Sequence, residues 1–136
     1  MSAQQAPEAA PGPGAVATDT PVVPAAQLRQ VVHPVDDIAA AVAFYGAALG
    51  LPTRFVDGDR YAAFDAGGAT LAVAAETEDV AGIAAAAFKV DDVDAAATRL
   101  LAAGGQVIHG PVDGPHERRV LASDPWGNRV ILYASL

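Results

Sequence analysis

The sequence predicts an α+β fold: two tandem βαβββ modules forming a curved mixed sheet with a concave ligand cavity. Three observations lead to it. The segment Gln30-Val-Val-His-Pro-Val-Asp-Asp-Ile38 recurs 55 residues later as Ala85-Ala-Ala-Phe-Lys-Val-Asp-Asp-Val93. Each copy runs from a strand-like stretch through Val-Asp-Asp into an Ala-rich helix that stops at glycine, Gly50 in one and Gly105 in the other. Behind each helix lie further β-prone segments separated by turn residues, as expected of a duplicated unit.

The elements follow in order. Leu28 to Val35 is β-prone, and Asp36 or Asp37 is placed to cap a helix by accepting from exposed N–H groups of its first turn. The helix spans about Asp37 to Leu49, with Ile38, Ala41, Val42, Phe44, Tyr45 and Leu49 as its apolar stripe and Gly50 as its left-handed stop. Thr53 to Val56 and Arg60 to Phe64 flank Asp57-Gly58-Asp59, a hairpin signal because Asp and Gly tolerate positive φ. Gly67-Gly68 turns into a strand over Ala69 to Ala75. After the acidic connector Glu76 to Asp79 the order repeats. Strand Ile83 to Val90, helix Val93 to Ala103 and strands Gln106 to His109, Glu117 to Ala122 and Arg129 to Ala134 make the second module. Asp124-Pro-Trp-Gly-Asn128 forms the turn before the last strand. Helices covering one face of the sheet leave the other concave.

Residues 1–27, rich in Pro, Ala, Gly and Gln without apolar periodicity, read as a disordered leader. Residues 28–136 read as a single domain, with module one about 28–76 and module two about 82–136. A net charge of −8 with only eight Lys and Arg argues against nucleic acid as a partner. Without cysteine there is no disulfide, thiolate metal site or Cys nucleophile. No apolar run approaches the roughly 20 residues that span a bilayer, so no membrane partner is expected. The lack of a secretory or lipid-attachment signal favours the cytoplasm.

With the repeat, the Phe44-Tyr45 pair, the second Val-Asp-Asp helix and Asp124-Pro-Trp-Gly-Asn128 in place, the chain resembles the vicinal oxygen chelate superfamily. That group contains glyoxalase I, extradiol dioxygenases, methylmalonyl-CoA epimerase and the bleomycin- and mitomycin-binding resistance proteins. The resemblance covers about Leu28 to Leu136. It implies four metal ligands, commonly His and Glu, one from the first and one from the last strand of each module. By position these fall on Gln30, Ala85, Ala72 and Ile131. Gln30 is at best a weak neutral oxygen ligand, and methyl or branched alkyl groups have no lone pair. No metal and no other cofactor is therefore expected. His33 lies an odd number of residues from Gln30, so a strand turns it to the helix side.

The resemblance then points to metal-independent binding and sequestration of a hydrophobic or aromatic small molecule, in the manner of an antibiotic-resistance protein. Ala72 and Ala85, with Ala74 and Ala87 on the same parity, make a roomy apolar centre beside Ile131. At about 25 cal/mol per Å², a few hundred Å² of apolar ligand surface supports micromolar binding. Tyr61, Trp126, Tyr133 and Phe55 are the aromatics for stacking, although core packing explains any one of them as well. Gln30, Arg54, Glu117 and Arg119 are the polar anchors. An alternative is a glyoxalase-like lyase, isomerase or cyclase acting without the four-ligand site, with His116 and Glu117 as acid and base; solvated loop residues explain that pair equally well. His109 has no partner at metal-site spacing. A third reading is a regulatory domain whose apolar patch another protein fills. The resemblance also implies a homodimer.

Overall fold

The structure, a computed structural model, describes residues 23–136. Most of the expected leader, residues 1–22, lies outside the described residues; positions 23–26 carry no regular structure, and Gln27 opens the first strand. Strand β1 (Gln27–Pro34) leads through helix α1 (Ile38–Leu49) to β2 (Thr53–Asp57), β3 (Tyr61–Ala66) and β4 (Ala69–Ala74). Strand β5 (Ala85–Lys89), helix α2 (Val93–Ala102), β6 (Gln106–Asp113), β7 (Glu117–Ser123) and β8 (Arg129–Ser135) repeat that order. The fold is α+β, as predicted.

All eight strands form one mixed sheet in the order β2-β3-β4-β1-β5-β8-β7-β6. Each first strand lies parallel to the last strand of its own module, β1 with β4 and β5 with β8. The modules join through the antiparallel pair β1 and β5, in which Gln30 faces Ala87, Val31 faces Ala86 and Val32 faces Ala85. Val31 therefore sits opposite its own counterpart in the repeat, 55 residues on, and the axis relating the modules passes through that pair.

Both helices start where the aspartates predict. Asp37 and Asp92 hold extended backbone, and their carboxylates accept from Ala40 N–H and Ala95 N–H, each at 3.0 Å. Gly50 ends α1 at φ +66°. The second stop differs from the expected Gly105. Helix α2 ends at Ala102 with Ala103 as its C-cap, and Gly104 takes the positive φ of +105°. Gly105 serves packing instead, since a Cβ there would stand 2.5 Å from Leu100 Cδ2 and 2.7 Å from the Ser123 carbonyl oxygen.

Two apolar clusters lie under the helices. Ile38, Ala41, Ala62, Phe64 and Val73 pack beneath α1, and Val93, Ala96, Ala97, Val120, Ala122 and Leu132 beneath α2. Phe44 departs from its expected core role and is 60% exposed. It is turned about 100° from its neighbour Tyr45 on the helix, and its ring meets Tyr45 edge-on with centroids 5.1 Å apart. A third cluster of Val32, Ala72, Ala74, Ala85, Ala87, Leu121 and Ile131 covers the opposite, concave face. Strand β6 runs four residues beyond its expected end at His109. Two register shifts against β7 and a positive φ at Gly110 accompany the continuation of the strand through Gly110-Pro111.

Candidate functional site

Strand alternation places one set of side chains on the concave face. Register aligns Phe55 with Ala63 and Ala72, and Asp57 with Tyr61 and Ala74, on the first module. On the second it aligns Ala87, Ile131 and Leu121, and pairs Tyr133 with Arg119. Between the two halves stand Gln30 and Val32 of β1. The connector from β4 to β5 crosses this face, packing Val80 and Ala81 onto the apolar cluster and carrying Glu78 alongside. These elements enclose a cavity of about 650 Å³.

The cavity floor is Val32 and Ile131, both buried, with Gln30 beside them. Tyr61 Oη donates to Gln30 Oε1 at 3.1 Å, fixing the amide across two strands. Phe55 stands next to Tyr61, with ring centroids 6.3 Å apart and a tilted contact. At the mouth, Arg60 binds both carboxylate oxygens of Asp57, at 2.7 and 2.8 Å. Arg119 lies 3.7 Å from Glu117, with about a third of each side chain exposed, and His116 and Gly114-Pro115 complete the rim. Burial pushes the Tyr61 phenol above its ordinary pKa, opposed by the hydrogen bond with Gln30 and reinforced by Tyr133, Glu117 and Glu78. Burial also raises Tyr133, reinforced by Glu117 and opposed by Arg29. Both phenols are therefore neutral hydrogen-bonding groups at pH 7.

Of the residues named from the sequence, Gln30, Tyr61, Glu117, Ile131 and Tyr133 line the cavity, as do His116, Arg119 and Phe55. Ala72 and Ala85 do not line it. They are 0% and 3% exposed, sealed within the cluster by larger neighbours and the connector, so their methyls support the floor instead of widening the room. Arg54, the extra residue at a register shift of β2, does not line the cavity and pairs with Asp65, at the end of β3 away from Tyr61, at 3.3 Å. The Gly68 N–H, ahead of that guanidinium, holds the Asp65 carboxyl below its ordinary value. Trp126 is 83% exposed in the turn joining β7 to β8. It does not line the cavity, whose nearest residue along the chain is Ile131 of β8. His33 faces α1, where its Nδ1 is 3.2 Å from Tyr45 Oη, as parity required.

Sequence reasoning missed Asp57, Arg60, Glu78, Val80 and Val32. Val32 was available from parity, two residues from Gln30. Asp57 and Arg60 had been absorbed into the hairpin signal, and only the path of the connector across the open face brings in Glu78 and Val80.

The four positions that the superfamily resemblance assigns to metal ligands do not fit an ion here. Gln30 Oε1 already accepts from Tyr61, Ala72 and Ala85 offer methyl groups, and Ile131 offers a branched alkyl chain. Among the described residues no three His, Cys, Asp or Glu side chains cluster so as to hold a metal.

Comparison with known proteins agrees with this architecture. A protein of Mycolicibacterium smegmatis is 37% identical over 111 residues, covering 81% of this chain and 95% of the relative. Methylmalonyl-CoA epimerase from Mycobacterium tuberculosis superposes with a TM-score of 0.60 at 23% identity, covering 81% of this chain and 88% of that one. A glyoxalase/bleomycin resistance protein/dioxygenase superfamily member from Vibrio splendidus 12B01 gives 0.63 at 12% identity, covering 81% and 99%. At such identities both structures speak for the fold alone. Residues 27–132 match the family described as Glyoxalase/Bleomycin resistance protein/Dioxygenase superfamily, and the chain belongs to that superfamily.

Proposed function

We propose that the protein binds and sequesters a flat, largely apolar small molecule, aromatic in character, without a metal and without changing it chemically. The observation that carries this reading is the replacement of the four ligand positions by Gln30, Ala72, Ala85 and Ile131 beneath a retained cavity of about 650 Å³. Val32, Ile131, Val80 and the rings of Phe55, Tyr61 and Tyr133 supply the apolar wall, and Gln30 and the rim charges supply a few oriented polar contacts. The site is proposed to work in a homodimer in the cytoplasm, as an antibiotic-resistance-type binding protein does.

The test is incubation of the purified protein with a panel of flat aromatic compounds, followed by mass spectrometry of protein and supernatant. Intact compound bound in one-to-one stoichiometry is the expected result. Accumulation of an altered product would refute sequestration.

A second reading, a metal-independent lyase, isomerase or cyclase, is favoured by one observation: His116 and Glu117 both line the cavity. It predicts turnover that survives chelation and falls by orders of magnitude in Glu117→Gln or His116→Ala. Binding without turnover in the unmodified protein counts against it.

A further inference from the structure

Gln30 is the polar side chain set among the apolar floor residues, and its amide has two different ends. Oε1 accepts from the Tyr61 hydroxyl at 3.1 Å. Because the amide is planar, a committed oxygen turns Nε2 to the other branch, where it offers two donors. Among the described residues Nε2 has no protein acceptor. Its cavity neighbours on the floor, Val32 and Ile131, offer none either. A ligand that covers this floor also removes water from Nε2, so it must supply an acceptor itself or leave a buried donor unmatched.

The charges at the mouth narrow the acceptor. Asp57, Glu78 and Glu117 bring three carboxylates to the cavity against the two guanidiniums of Arg60 and Arg119. Arg60 is held by both oxygens of Asp57, and Arg119 pairs with Glu117. A ligand carboxylate or phosphate would enter against that excess, whereas a neutral oxygen escapes it.

On these grounds, and resting on the sequestration reading above, we propose that Gln30 is the specificity-determining residue of the site: its Nε2 donates to a neutral carbonyl oxygen on a flat aromatic ligand, and Tyr61 is the positioning residue that holds the amide in that sense. The class of ligand is an aromatic ketone or quinone. Tyr61 keeps the proton it donates to Oε1, since burial disfavours the phenolate.

The experiment is a calorimetric titration at neutral pH with three probes sharing one ring system: 9-fluorenone, fluorene and fluorene-9-carboxylate. The unmodified protein is expected to bind fluorenone about tenfold more tightly than fluorene, the worth of one matched hydrogen bond, and the carboxylate most weakly. Gln30→Leu is expected to abolish the preference, weakening fluorenone and tightening fluorene, whose unmatched donor is gone, and fluorene binding at least as tight as in the unmodified protein shows that the variant is folded. Tyr61→Phe is expected to lower the fluorenone preference in the same direction by less, because the released amide can turn over. Equal affinity for fluorenone and fluorene, or a preference that persists in Gln30→Leu, overturns the role of Gln30 and leaves sequestration standing. Tightest binding of the carboxylate overturns the neutral-oxygen assignment in favour of the arginines. If no probe binds, the sequestration reading falls and this inference falls with it.

Discussion

The side chains of the cavity divide the work between shape and polarity. Phe55 is 55% exposed yet stands beside Tyr61, which marks it as a wall that a ligand would cover. Truncating Phe55→Ala is expected to weaken binding of a flat aromatic about tenfold through lost area and stacking, with little change in thermal stability, as titration and melting curves would show. The phenols make a second prediction. Tyr61 has its folded-state pKa raised by burial, so the folded protein holds that proton more tightly than the unfolded chain. The resulting stability is fully present below the unfolded phenol value of about 10 and is lost as pH rises from there through the folded value. Denaturation midpoints measured at rising alkaline pH should therefore fall less steeply in Tyr61→Phe than in the unmodified protein. Much of this site was legible because alternation along a strand is a strict rule: once Gln30 was placed, Tyr61, Ile131, Tyr133 and Glu117 followed. The misplaced residues have equally physical causes. Arg54 sits at a β-bulge, where strict alternation breaks, and is held by Asp65 away from the cavity, while Trp126 lies in the turn of its hairpin. Glu78 and Val80 belong to a connector, whose path no periodicity encodes.

The helices owe their boundaries to single polar contacts. Asp37→Ala or Asp92→Ala removes the acceptor for a first-turn N–H, and each is expected to cost about 0.5 to 2 kcal/mol by chemical denaturation. Gly105→Ala would press a methyl on Leu100 and on the Ser123 carbonyl; overpacking of this kind costs about 1 to 3 kcal/mol, and the same assay measures it. These elements were readable because caps and stops have local signatures. Two departures arose where one residue serves two purposes. The glycine pair after α2 splits its roles, Gly104 turning the chain and Gly105 making room. Strand β6 passes its expected end at His109 through Gly110-Pro111, which an edge strand absorbs through register shifts because only one side of β6 is paired.

For the molecule as a whole, the duplication explains both the scaffold and its open face. Two copies meeting at Val31 and Ala86 make a continuous sheet whose outer strands β2 and β6 each leave one edge unpaired. Exposed Phe44, Leu49, Phe55 and Val56 cluster in the sequence around the first of these edges. A homodimer is expected, and light scattering should give twice the 13.7 kDa chain mass; a monomeric mass at every concentration would contradict it. Among the described residues no helix is long and apolar enough to cross a membrane. The repeat made the superfamily fold legible before any coordinate, because a 55-residue offset between two Val-Asp-Asp helices constrains topology strongly. The ligand was not legible in the same way, since its contacts come from turns and a connector as much as from strands. The decisive measurement is native mass spectrometry combined with elemental analysis of the purified protein, before and after exposure to 9-fluorenone. The account predicts no stoichiometric metal and one intact fluorenone per chain. A stoichiometric divalent metal lost on Gln30→Ala, or fluorenone recovered in altered form, would contradict it.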